Sequence, residues 1–232
     1  RPKLSVTGFV AKLGTANFFN QIAMMIVQIV MNKSLTYYGS QSVYGESIPL
    51  ACAGIITKVG MVFFSICIGL SQGMQPIVSF NYGAGNYKKV KQAYRLAAGI
   101  GTIISVIAFF AFQIFPRQLI GIFGSSQNEA YYTFAVRYFR IYMFFTFLNA
   151  IQPISSNFFT AIGKPGKGIF LSLTRQIIFL LPLIVIFPLF LGVDGIMYAG
   201  PIADFIAAMV SMILIYKEFG KINKLEEATC ES

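Results

Sequence analysis

Six stretches of the chain read as near-continuous apolar runs rather than as the one-sided stripes of soluble helices: residues 13–35, 48–77, 97–115, 132–160, 169–191 and 195–216. At about 1.5 Å of rise per residue, runs of this size suit a hydrocarbon core of about 30 Å. The pattern predicts an all-α fold, an integral membrane bundle of six transmembrane helices. Residues 36–47 are polar, rich in Tyr, Gly and Ser and nearly uncharged, as a short outer loop should be. Residues 117–128 form a second outer loop with a short interfacial helix over 118–123, where apolar residues recur at helical spacing. Residues 4–12 read as an amphipathic cytoplasmic approach, residues 163–167 as a tight basic turn, and residues 217–232 as a mixed-charge tail lying on the inner surface. The domain reading is therefore a six-helix lobe, 1–216, followed by a cytoplasmic tail, 217–232.

The polar residues inside the runs carry the candidate chemistry. In the first run Asn17, Gln21, Gln28 and Asn32 recur at intervals of four and seven, so they share a helix stripe. Amides avoid lipid. They either bond to neighbouring helices or line a watery cavity, and the spacing alone leaves both open. In the second run Gln72 and Gln75 precede Pro76, which has no N–H and is expected to loosen the helix into a bending point. Lys58 in the same run has no evident acid partner and is expected to face the interior, as a structural or substrate-repelling charge. The third run is almost wholly apolar and contacts lipid or packs. The fourth changes character midway. Arg137 and Arg140 serve as interfacial anchors, a dense aromatic group follows, and then Asn149, Gln152, Ser156 and Thr160 form a second polar stripe with Pro153 as a potential kink. Both stripes, with Gln72 and Gln75, are expected to face one central cavity. Aromatic rings beside amides suit lipophilic cations, at roughly 0.5 to 2 kcal/mol per cation–π contact, although such rings pack more often than they bind. In the last two runs Arg175 and Asp204 are candidates for an intramembrane ion pair, with structural charge compensation favoured over proton coupling, and Pro182, Pro188 and Pro201 are expected to bend their helices.

Composition narrows the class. With 56% hydrophobic and 11% charged residues and a mean hydropathy of +0.69, the chain is too apolar for a soluble domain. The net charge of +10 raises the question of nucleic acid. The basic residues instead fall in the segments assigned inside (Lys12, Lys88, Lys89, Lys91, Arg95, Lys164, Lys167, Lys217, Lys221 and Lys224, with Arg1 and Lys3), against Lys33 and Arg117 outside. That asymmetry puts both termini in the cytoplasm and makes the bilayer, not nucleic acid, the partner. The absence of histidine, the eight acids and three cysteines without ligand spacing argue against a metal, a cofactor, a disulfide framework or an enzyme. The start at Arg1-Pro2-Lys3, without a signal peptide, reads as a fragment beginning inside a longer protein.

One segment is more specific. Gln72-Gly73-Met74-Gln75-Pro76-Ile77, followed by Asn81-Tyr82-Gly83-Ala84 and then Lys88, Lys89, Lys91 and Arg95, describes an apolar helix leaving the membrane through a glycine-loosened end into basic chain. This order resembles the signature of the multidrug and toxic compound extrusion (MATE) transporters, with Gln72, Gly73, Gln75, Pro76, Asn81, Tyr82 and Gly83 as its residues. The resemblance covers nearly the whole chain. It implies the C-terminal six-helix half of a twelve-helix, two-lobe antiporter in the plasma or inner membrane. Such a protein would exchange Na+ or H+ for lipophilic, often cationic, drug-like compounds, with an N-terminal six-helix half as its partner. Some members carry membrane-embedded acids in the first and fourth helices of this lobe. Here those stretches hold Asn17, Asn20 and Gln21, then Asn149 and Gln152, which implies that the coupling ion binds mainly in the other half. A lipid-linked oligosaccharide flippase of related architecture is the alternative, disfavoured because few intramembrane cations are available to hold pyrophosphate.

Overall fold

A computed structural model describes residues 4–123 and 129–230, and within them all regular structure is helical. The elements are α1 (Leu4–Ser40), α2 (Ser47–Gly83), α3 (Tyr87–Ile114), α4 (Pro116–Phe123), α5 (Glu129–Tyr142), a 3₁₀ turn (Thr146–Leu148), α6 (Ile151–Ala161), α7 (Pro165–Leu173), a π turn (Thr174–Leu180), α8 (Leu181–Leu191) and α9 (Val193–Cys230). Among the described residues four helical stretches are long and apolar enough to cross a membrane: Ser47–Gly83, Tyr87–Ile114, Pro165–Leu191 and Val193–Glu227. The outward side of α3 shows why. Leu96, Ile103, Ile107, Phe110 and Ile114 are exposed at intervals of three, four and seven, a stripe suited to lipid tails rather than water.

The helices depart from the apolar runs in five places. Residues 4–12 are not a separate approach, because α1 runs unbroken from Leu4 to Ser40. Pro76 does not break α2, which continues to Gly83; the missing N–H costs the carbonyl of Gln72 its usual partner without ending the helix. The fourth run is not one helix. It stops at Tyr142, passes through the 3₁₀ turn and restarts at Ile151, so the interruption precedes Pro153 instead of centring on it. Pro153 takes the third position of α6, where a missing N–H is harmless, and its ring disfavours a helical approach of the Asn149 carbonyl four residues earlier. The tail is not a separate surface helix either, since α9 carries on through it to Cys230. Pro182 has a related effect in the fifth run. The turn before it widens, with the Leu181 N–H donating to the Gln176 carbonyl five residues back, so the chain stays helical while avoiding the proline ring.

Helix α6 lies at the centre, packed against α2, α3, α7 and α9. Ile154, Phe158 and Phe159 are fully buried along it. Most of its polar residues tie it to neighbours: Ser155 Oγ is 2.9 Å from the Tyr94 hydroxyl of α3, and Asn157 Nδ2 donates to Ser71 Oγ of α2 at 2.7 Å, while Thr160 bonds back to the Ser156 carbonyl of its own helix. Below them the ring of Phe219 from α9 stacks edge-on against Tyr94 (5.4 Å) and Phe158 (5.9 Å).

Beyond the apolar part of α9, charges hold the same end closed. Lys164, capping α7, and Lys167, in its first turn, both donate to Glu218, whose side chain is only 1% exposed. Lys91 of α3 donates to Glu226 and, at 2.7 Å, to Asn223. Burial alone would raise the pKa of Glu218, but hydrogen bonds and charge from the two lysines outweigh it and hold the carboxyl below its ordinary value. At the opposite end Arg137 is not simply an interfacial anchor: its Nη2 donates to Asp194 Oδ2 at 2.8 Å, in the wall of a cavity of about 320 Å³ shared with Tyr38 and Tyr44.

Candidate functional site

Two backbone irregularities and a proline inside α9 converge on one buried network. Asn149 sits where the fourth run is interrupted, Arg175 lies in the π turn, and Asp204 follows Pro201 by three residues in α9. Arg175 Nε donates to Asp204 Oδ1 at 2.5 Å, and Asn149 Nδ2 donates to Asp204 Oδ2 at 2.9 Å, so both carboxylate oxygens are engaged. The guanidinium also lies over the Phe64 ring of α2, 5.2 Å from its centre. Asp204 is 5% exposed. An isolated charge at such a depth is expensive, and here each charge has its counter-charge and further donors or a ring around it. Beside the network α9 comes close to the end of α5 because position 200 is glycine: a Cβ there would stand 2.4 Å from the Tyr142 ring.

The rest of the second stripe serves packing. Gln152 Nε2 donates to the Leu171 carbonyl at 3.2 Å, and Ser156 Oγ donates to the Gly168 carbonyl at 2.8 Å while lying 3.0 Å from Ser172 Oγ. Gly168 is required for that contact, since a Cβ would meet the Ser156 carbonyl at 2.7 Å. Asn149, Gln152 and Ser156 therefore bind the fourth, fifth and sixth runs to one another.

The first stripe lies elsewhere. Gln21 and Asn32 are exposed, Gln28 is half-buried, and Gln28 Nε2 donates to Asn32 Oδ1 at 3.1 Å; the Asn17 side chain lies outside the described set. On α2, Gln72 is exposed and Gln75 half-buried. The expectation of one cavity inside the lobe shared by both stripes is thus corrected. One set of amides is consumed in helix–helix bonds, and the other lies on the outside of α1 and α2. Lys58 is likewise corrected, since it is exposed instead of facing the interior of this bundle.

The motif that spans 72–83 ends α2. Asn81 Nδ2 donates to the Ile77 carbonyl at 2.8 Å, the Asn81 carbonyl accepts from the Asn86 N–H at 2.9 Å, and the Tyr82 ring packs edge-on against Tyr87 at 5.7 Å. Its polar groups thereby tie off a helix end and start α3 with Lys88 and Lys89 exposed. The tail acids Glu218 and Glu226 had no sequence signal as partners of particular lysines, beyond their presence in a mixed-charge helix.

The MatE family profile matches residues 16–186. Among curated proteins the multidrug export protein MepA of Staphylococcus aureus (strain bovine RF122 / ET3-1) is 24% identical over 218 residues, covering 93% of this chain and 46% of its own. Among solved structures, the outward-facing conformation of a multidrug resistance MATE family transporter of the MOP superfamily superposes with a TM-score of 0.85 at 19% identity, covering 97% of this chain and 49% of that one. An inward-facing conformation of such a transporter gives 0.84 at 20% identity, covering 97% and 50%. The chain spans about half the length of the curated relatives it matches. With the family profile matched from the amides of α1 through the π turn and into α8, and the helical bundle superposing on about half of a solved MATE transporter, the chain belongs to the MATE family.

Proposed function

We propose that this bundle is one lobe of a cation-coupled multidrug antiporter that exports lipophilic, drug-like compounds, cations among them, by alternating access against a second six-helix lobe. The observation that carries the reading is the division of polar residues. Those of α6 and Asp204 are used up inside the lobe, while Gln21, Asn32, Gln72 and Lys58 are left exposed on helices otherwise built for a membrane. A polar face at membrane depth calls for a polar cover, and a facing lobe supplies one. The near-equal superposition on outward- and inward-facing relatives supports a lobe that keeps its internal fold while it rocks. The Arg175–Asp204–Asn149 network acts structurally in this reading, and Na+ or H+ binds mainly in the other lobe, because amides stand at 17, 21, 149 and 152.

The test is efflux from cells that express the full-length protein in an efflux-deficient host. Ethidium loss should depend on an imposed Na+ or H+ gradient, and Gln21→Leu should slow it more than it reduces protein level. Gradient-independent loss, or loss of neither ethidium nor the carboxylate-bearing rhodamine B above the empty host, would end the antiporter reading.

The same proposal places the protein in the cell membrane with both termini cytoplasmic. Cysteines introduced at Lys89 and Lys164 in a background lacking accessible cysteines should react with an impermeant maleimide only after the inner face is opened. Labelling of either from outside intact cells overturns this topology.

A further inference from the structure

Lys58 lies ten residues inside the end of the apolar run at Ile48. At about 1.5 Å per residue this is about 15 Å from one end of an apolar run about 45 Å long, which puts it about 8 Å inside a core of about 30 Å centred on that run. On a lipid-facing side the ammonium would have to stretch its whole stem toward the headgroups, so a polar surface beside it is the better cover. The side chain is exposed, and it makes no ion pair among the described residues. Its surroundings on α2 are mixed: Gly54, Ser65, Gly69 and Gln72 share its outward stripe with Ala51, Met61 and Pro76, and all are exposed. Ser65 satisfies itself on the Met61 carbonyl at 2.7 Å, so the lysine is the one fixed charge on that stripe. Alongside runs an apolar strip of exposed Val62, Ile66, Ile77 and Phe80. An apolar wall beside a single ammonium is complementary to a flat lipophilic body carrying one anionic group, because a desolvated lysine binds a carboxylate by charge-assisted hydrogen bonds and repels a lone cation.

We infer that Lys58 determines specificity in the substrate path, drawing in lipophilic compounds that bear a carboxylate, as anions or zwitterions, in preference to permanent cations. The inference rests on the exporter reading only in taking the α2 face as part of that path. Binding can be measured without transport, so the two are separable.

The probes are rhodamine B, which carries a free carboxylate, and its methyl ester, a permanent cation of the same shape. Fluorescence polarisation reports binding of each to the full-length protein in nanodiscs, for the wild type, Lys58→Gln and Lys58→Arg. Lys58→Gln should weaken rhodamine B binding by about tenfold, leave the methyl ester unchanged or tighter, and be largely rescued in Lys58→Arg. An equal change for both dyes, no change for either, or no binding of rhodamine B to the wild type overturns the inference. So does a loss of dye-free thermal stability in Lys58→Gln without discrimination between dyes, which would assign the lysine to an acid elsewhere in the protein. Dyes that bind as expected but are not moved out of loaded cells would instead count against the exporter reading alone.

Discussion

Asp204→Ala should destabilise the protein by about 3 to 5 kcal/mol, the cost typical of removing one partner from a buried ion pair. The alanine strands a guanidinium that is 16% exposed and beside the Phe64 ring, and it also takes away the acceptor of Asn149. Replacing Arg175 and Asp204 together, with Met and Leu, should cost far less, because no charge is then left unpaired in the interior. Thermal unfolding of the full-length protein in detergent checks both variants. The damage from the single change should reach beyond its immediate contacts, since Asp204 ties the π turn to the break between α5 and α6, two places where the helix ladder does not hold itself together. A loss of less than about 1 kcal/mol for Asp204→Ala would mean that water reaches the pair and screens it.

How this network could be read from sequence, and where the reading stopped, follows from what spacing encodes. Arg175 and Asp204 lie on consecutive apolar runs, where neither can stay alone, so pairing them needs only the cost of a bare charge in hydrocarbon. Asn149 joins them only because the chain breaks at 143–150, and nothing in the residue pattern places that break ahead of Pro153 instead of on it. The π turn is equally silent: Pro182 signals disruption, but a kink, a break and a widened turn all relieve the same clash. The long apolar helices and the short helix α4 were legible because hydrophobic period and length fix them directly, whereas the MATE resemblance rested on the particular residues at 72–83.

The sides taken by the polar stripes were harder. Gln21, Gln28 and Asn32 recur as regularly as Gln152 and Ser156, yet the first group lies on the outside of the bundle or half-buried, and the second bonds between helices. Spacing says that amides share a face; it does not say which neighbour covers that face. Lys58 was expected inside for the sound reason that lipid would penalise it, and the reason survives the correction. What changes is the covering surface, which must come from outside this lobe. The same reasoning explains why the wholly bonded face of α6 holds the lobe together and leaves the exposed faces of α1 and α2 for contact with something else.

A second clear effect is expected at Glu218, and it should depend on pH. Glu218→Gln keeps the shape of the side chain but removes the charge that Lys164 and Lys167 share, so the turn into α7 loses its hold on α9. Each lysine is more than a third exposed and can turn to water, which keeps the loss near about 1 to 2 kcal/mol, below the cost at Asp204. Because the folded-state pKa of Glu218 is lowered, its contribution is fully present above the unfolded carboxyl value and disappears as pH falls through the folded one. The stability gap between wild type and Glu218→Gln should therefore be full at neutral pH and begin to close below about pH 4.3. Thermal unfolding of both proteins in detergent across that range is the measurement. A gap that stays constant as the buffer is acidified would show that Glu218 acts through packing alone, with the aromatic contacts of Phe219 holding the inner end of α9 in its place.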